Sequence, residues 1–356
     1  MGQSKPMTMR FHVVSLPHSQ TTKAFSWSAF TDKVRKFCNM MTSLGHEVYL
    51  YASEDNEAAC TELITCITKQ EQRELIPDLA ERWVAEEPQW ALMNGRAISA
   101  IGKRLQPQDF ICLIGGVGQK SVADAFPLAL SVEFGVGYSG VFANHLIFES
   151  YAWMHTIYGH MRGAYTADGR FYDAVIPNYF EVEDFPFSAE KEDYFLYMGR
   201  VTYRKGYQVA LEVCQREGFR LKVAGAGDPL PDWVENQGVV GPERRGELMS
   251  RARAVFVPTL YIEPFGGVAV EAMLCGTPVI TTDWGAFTET VPQGVTGFRC
   301  RTFKEFREAT AAVANLDPKA IRDYAVATFS TEVIARRYET YFERLLTLWG
   351  KGFYEE

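Results

Sequence analysis

The chain has no apolar run long enough to span a bilayer. Two of its longest, ICLIGGVG and RAVFVPTLYI, fall well short of the ~20 residues a transmembrane helix needs. The opening MGQSKPMTMRFHVVSLPH has too short an apolar stretch for a signal peptide, so a soluble protein is expected. Seven cysteines, at 38, 60, 66, 112, 214, 275 and 300, form no C-x-x-C pair and no zinc-type cluster. That argues against a disulfide framework and for reduced thiols in a cytoplasm. No internal repeat or low-complexity tract is visible. Basic excess is missing too: the net charge is −8, with 15 basic against 18 acidic residues up to position 180 and 21 against 26 beyond it. A protein held mainly by nucleic-acid phosphates carries the opposite balance. A local cluster, Lys33-Val34-Arg35-Lys36, reads first as a solvated helix face and second as a short track for a strand.

What the chain does have is material for a large core. Its 356 residues are 47% hydrophobic and 22% charged, which at about 100–200 residues per domain suggests two domains. Short β-branched or aromatic runs alternate with segments of helical period. FHVVSL (11–16), a helix over 26–44 and HEVYLYAS (46–53) make one βαβ unit. A helix near 90–105, strand 109–116, helix 119–126, strand 128–134, an aromatic-rich helix near 145–160 and strand 172–180 continue the series. The acidic, turn-rich stretch 181–194 reads as a linker. A second βα series starts at FLYMGR (195–200) and runs through helix 206–217, strand 220–225, a short strand at Val239-Val240, helix 243–251, strand 254–258, helix 266–275 and strand 278–281. The expected fold is α/β: two doubly wound, Rossmann-like domains (1–180 and 195–330) facing a cleft at the carboxyl ends of their strands. The last helix, within 331–356, is expected to run to 349 and to fold back onto the first domain.

Four segments of the second series carry candidate chemistry. GRVTYRKG (199–206) places Arg200 at a strand end and Lys205 just before a helix, a loop able to aim two cations at one phosphate group. Arg204 lies between them. AGAGDP (224–229) allows a tight turn at Gly225, and VVGP (239–242) offers the backbone of Val240 to the edge of a base. In EPFGGVAVEAMLCGTPVI (263–280), Pro264 and the Gly266-Gly267 pair mark a loop turning into a helix. Glu263 then lies before the first turn and Glu271 inside it. The N–H groups of Phe265, Gly266 and Gly267 favour an anion there, while the two glutamates suit neutral hydroxyls. Each segment alone has an ordinary alternative: a surface ion pair for Arg200, helix–strand packing for the glycines, solvation for Glu271.

With GR-x4-KG at 199–206, E-x7-E from Glu263 to Glu271, CGTPVITTDWGAFTETVPQGVTGF at 275–298 and IPN at 176–178, the sequence resembles a GT-B glycosyltransferase of the retaining family 4 type. The resemblance is strong over the second domain and weak over the first. It implies that the first domain binds an acceptor and the second a nucleotide-sugar donor, a UDP-sugar first among them. Arg200 and Lys205 would hold the diphosphate, Glu271 the ribose, Glu263 and the backbone of 265–267 the sugar, and Val240 the base. The sugar would pass to an acceptor hydroxyl with retention at the anomeric carbon. No D-x-D triplet occurs in the chain, so the leaving group's charge falls to protein cations, and neither metal nor cofactor is expected.

The first domain departs from that pattern. Its first loop, PHSQTTKAFSW (17–27), has no glycine, and PLALSVEFG (127–135) puts Glu133 where the family's histidine would fall. Either Glu133 takes over the sugar contact or the donor has no C6 hydroxyl, as in a pentose such as arabinose or xylose. His18 and Lys23 in the first loop are further candidates for donor or acceptor contact. Glu149, Tyr151, Trp153 and His155 belong either to a core helix or to a stacking surface. Acceptor classes span glycans, lipid-linked glycans, small molecules, protein and a modified base in DNA, the last needing a groove built from Lys33 and Lys36. A sugar-nucleotide epimerase and a non-catalytic sugar-nucleotide-binding protein are the rival readings.

Overall fold

The computed structural model describes residues 8–76, 87–162 and 169–347. In chain order the first elements are β1 (Arg10–Val14), α1 (Ala29–Ser43), β2 (Glu47–Ser53), β3 (Glu62–Ile67), α2 (Lys69–Leu75), α3 (Pro88–Ile101), β4 (Phe110–Leu113), α4 (Lys120–Asp124), β5 (Leu130–Val136), β6 (His145–Phe148), α5 (Tyr151–Arg162) and β7 (Ala174–Val175). There follow β8 (Phe195–Met198), α6 (Tyr207–Glu217), β9 (Leu221–Ala224), β10 (Glu235–Gly238), α7 (Pro242–Arg251), β11 (Ala254–Val257), α8 (Gly267–Leu274), β12 (Val279–Thr282), α9 (Phe287–Thr290), β13 (Gly297–Cys300), α10 (Phe303–Ala312), α11 (Pro318–Phe329) and α12 (Thr331–Leu346).

Two sheets result, ordered β3-β2-β1-β4-β5-β6-β7 and β10-β9-β8-β11-β12-β13, with parallel pairing throughout. Parallel strands covered on both faces need continuous apolar runs. FICL of β4, FLYM of β8 and AVFV of β11 supply them, every residue buried. In each sheet the order reverses beside the first strand, the switch point of doubly wound folds.

The chain divides into two compact units, Met1–Phe148 with Ala167–Ile176 and Ile334–Glu356, and Glu149–Thr166 with Pro177–Val333. The first unit takes the C-terminal helix into its core. Phe342 of α12 sits 4.7 Å from Phe11 and 4.8 Å from Phe110, ring centre to ring centre, and Tyr338 5.3 Å from Phe37. The Tyr341 hydroxyl donates to Tyr172 O at 2.8 Å. The expected end of this helix at 349 lies outside the described residues.

Several expectations need correction. The helix foreseen over 145–160 is a strand followed by a helix. His145-Leu-Ile-Phe148 adds to β5 in register with Val132, and the Ser150 hydroxyl then accepts from Trp153 N at 3.1 Å to start α5. That helix belongs to the second unit. The stretch 181–194 is not a bare linker, because Val182 and Phe185 pack on the second unit's core and Lys191 donates to Ser250 O and Thr277 Oγ1. Strand 172–180 shrinks to two residues, and the short strand at 239–240 falls instead on β10, whose polar ENQG suits a sheet edge. β3 and β13 were not foreseen. Lys33, Arg35 and Lys36 are buried, not a solvated face. Asp32 pairs with Arg35 at 2.8 Å and with Lys36 at 2.6 Å, while Lys33 lies 4.6 Å over the Phe30 ring. This removes the basic groove on which a DNA acceptor rested.

Candidate functional site

The loop after β8 is held by the loop after β9. Val201 N donates to Ala226 O and Asp228 N to Val201 O, both at 2.8 Å. The two backbones approach so closely that a Cβ at Gly225 (φ +152°) would lie 1.9 Å from Gly199 O, which is why AGAGDP needs its first glycine. Arg200 emerges exposed from this zipper, its carbonyl fixed by the Tyr197 hydroxyl at 2.8 Å. Among the described residues no carboxylate pairs with its guanidinium. One turn on, Lys205 donates to Glu263 Oε2 at 3.0 Å. The Arg204 guanidinium and the Lys205 ammonium each lie 4.9 Å from the centre of the Tyr261 ring. Burial pulls the Lys205 ammonium down, but Glu263 and the Tyr261 hydroxyl outweigh it, and its affinity for the proton is raised.

Glu263 and Glu271 flank a helix start that sterics dictate. Gly266 caps α8 at φ +81°, where a Cβ would meet Phe287 Cε1 at 2.4 Å. Phe265 is buried, 6.2 Å from the Phe180 ring, and anchors the loop. The first N–H groups of a helix lack intrahelical acceptors, and here they belong to a glycine-lined turn. Within α8 only Gly267, Val268 and Glu271 are not buried, so one face of its first turn is open. Glu271 forms an ion pair with Arg245 of α7. The start of α5 closes the far side: Ser150 Oγ donates to Pro264 O at 2.7 Å, and the Glu289 carboxylate accepts from Tyr151 N and Ala152 N, both at 2.8 Å.

The structure thus brings Lys205 and Glu263 together and sets Phe265, Gly266, Gly267 and Glu271 on one helix start. Val240 lies two residues beyond β10, its half-buried side chain packed on the core. Tyr261, Arg245 and Glu289 were missed. No spacing rule marks them, although the Arg244-Arg245 pair one turn into α7 was a visible signal.

His18, Lys23 and Glu133 lie in the first unit. Glu133 needs the plainest correction. It is fully buried, and its carboxylate accepts from Phe142 N at 2.7 Å, Ala143 N at 2.8 Å and the Tyr138 hydroxyl at 3.0 Å. It clips the 138–143 loop instead of presenting oxygens to a ligand, and burial raises its pKa. His18 is lowered to about 4 by burial, and its Nδ1 has no hydrogen-bond partner. Lys23 is exposed, its backbone N–H donating to Glu57. Around His18 the loop is fixed by amides: Gln119 accepts from Ile114 N and Gly115 N and donates to Val14 O and Ser15 O, while Gln72 donates to Pro17 O. Among the described residues no helix is long and apolar enough to cross a membrane.

Two parallel-sheet units of this order make a GT-B fold. Solved structures that share it include a glycosyltransferase involved in avilamycin A biosynthesis, with a TM-score of 0.66 at 22% identity over 95% of this chain and 98% of that one. Anabaena HepE, crystallised with UDP and glucose, gives a TM-score of 0.63 at 17% identity over 96% and 100%. Residues 180–320 match the family model Glycosyl transferases group 1. Similar curated proteins include an uncharacterized glycosyltransferase of Methanocaldococcus jannaschii, 32% identical over 30% of this chain and 32% of its own length. Glycogen synthase of Mycobacterium tuberculosis is 33% identical over 43% of this chain and 42% of its own. The chain thus spans less than half the length of these relatives.

Proposed function

We propose that this protein is a glycosyltransferase that moves a sugar from a nucleoside-diphosphate donor, a UDP-sugar first among candidates, to an acceptor hydroxyl with retention of configuration. The observation that carries the proposal is the Lys205–Glu263 contact, which ties the GR-x4-KG loop to the E-x7-E loop beside the open first turn of α8. Arg200 and Lys205 meet the diphosphate, Glu271 the ribose, and Glu263 with the N–H groups of the α8 turn the sugar. The bond from the anomeric carbon to the diphosphate oxygen breaks, the bond to the acceptor oxygen forms, and the departing diphosphate takes the acceptor's proton. Lys205 remains a cation throughout the neutral range, so charge growing on the leaving oxygens is met without a proton transfer from the protein.

Incubation with labelled UDP-glucose, UDP-arabinose and UDP-xylose in water tests this. Slow hydrolysis supports a transferase, and the preferred sugar decides between hexose and pentose. Interconversion of the sugars would instead mean an epimerase, and tight binding without turnover a binding protein.

A further inference from the structure

We infer that the first unit carries an anion site of its own, an open cavity between β7 and α12 that takes a phosphate monoester. The donor-site loops all belong to the second unit, so this site does not depend on the donor reading. The cavity measures about 350 Å³, near the lower end for small-ligand pockets. Its floor is β7, the last strand of its sheet, together with the Tyr341 ring. Its wall is a helix face: Arg337, Thr340, Tyr341 and Arg344 recur at the spacing of three and four that shares one side of α12, with Arg336 beside them.

Three arginines thus meet at one cavity of a chain whose net charge is −8. The acids nearby do not cancel them. Asp173, closed to solvent, accepts from Leu146 N at 3.1 Å and pairs with Arg170 at 3.4 Å. Glu339 pairs with Arg336 at 2.7 Å but is turned to the other flank of the helix, 3.5 Å from His46 Nε2. Arg337 is held in place by donating to Val175 O at 3.0 Å. Arg344 is exposed, and among the described residues no carboxylate pairs with it. A guanidinium donates in a planar fork that matches two oxygens of one phosphate. With the exposed Thr340 hydroxyl added, the donor set suits a dianion better than a carboxylate, and half-buried Val175 offers the ester's carbon skeleton an apolar rest. Glycerol phosphate is of this kind, whether free or as the headgroup of phosphatidate.

Calorimetric titration with glycerol 3-phosphate, and sedimentation with phosphatidylcholine vesicles with and without phosphatidate, test this at low salt, where exposed cations are least screened. The proteins compared are the wild type, Arg344→Gln, Arg344→Lys and Arg200→Gln. The wild type should bind one or both probes, and Arg344→Gln should weaken that binding about tenfold, the low end for a hydrogen bond to a charged group. Arg344→Lys, which keeps the charge without the fork, should fall between, and it decides alone if Arg344→Gln does not fold. Arg200→Gln should bind like the wild type. Binding of the soluble probe identifies a small phosphate ester as the ligand, retention on phosphatidate vesicles alone identifies a lipid headgroup, and either supports the site. A wild type that binds neither probe overturns the inference. So does affinity that is unchanged in both Arg344 variants, or that falls in Arg200→Gln instead, which would give the phosphate to the donor loop.

Discussion

Replacing Lys205 with methionine keeps the length of the side chain and removes its charge. In the folded protein the ammonium faces Glu263, with side-chain exposures of 24% and 11%. An exposed pair would be worth about 0–1 kcal/mol, and breaking a fully buried one would cost about 3–5 kcal/mol. This pair lies between, so Lys205→Met should destabilise by roughly 1–3 kcal/mol, mainly by leaving the Glu263 carboxylate without its cation. Glu263→Gln in the same background removes that stranded charge, and the double variant should recover about 1–2 kcal/mol relative to the sum of the singles. Turnover should not recover: the single and double variants that lack Lys205 each lose on the order of 10²–10³ in rate, because charge on the leaving diphosphate is then unmet. The lysine's folded pKa is raised above its unfolded value of 10.5. Its contribution is therefore complete below that value and lost only as pH rises through the folded pKa, so the coupling should be constant between about pH 7 and 9. Urea unfolding of the four proteins and donor hydrolysis rates provide the data. Additive stabilities, or a Lys205→Met enzyme within about fivefold of wild type, would refute the reasoning.

Phe342→Ala should cost about 3–5 kcal/mol in urea unfolding by emptying the aromatic cluster with Phe11 and Phe110; a loss below about 1 kcal/mol would mean that α12 is dispensable to the first unit. Glu133→Leu should destabilise by roughly 2–5 kcal/mol, since the N–H groups of Phe142 and Ala143 lose their acceptor, whereas Glu133→Gln, which keeps one, should lose far less. Lys33 is lowered to about 7 by burial, so below its unfolded value the folded state holds fewer protons than the unfolded chain. Stability should then rise as pH climbs from about 7 toward 10, and urea midpoints of Lys33→Met should lose that slope.

The sequence displays most clearly those parts of the site that depend on local order. Gly266 and Gly267 beside Glu263 and Glu271 mark a helix start by steric need, and Arg200 and Lys205 follow a buried strand at short range. All four charged groups were legible for that reason. Arg245 and Tyr261 were not, because their partners come from separate elements and no periodicity announces the meeting. Edge strands were equally hidden: the ENQG of β10 pairs on one side only and needs no apolar pattern, and β6 merged with the aromatic helix that follows it. Glu133 misled for a related reason, since a carboxylate on a strand looks functional until the loop it serves is seen to return over it.

The two crossings of the chain set an order for its birth on the ribosome. Since Phe342 fills the middle of the first unit, that unit cannot close its interior until α12 has left the exit tunnel, while Ser150 waits for Pro264 to complete the turn below α8. Nascent protein halted near residue 180 would therefore be an open sheet with an unfilled aromatic slot, a natural client for chaperones. Circularly moving α12 ahead of β1 should make folding faster and less dependent on them.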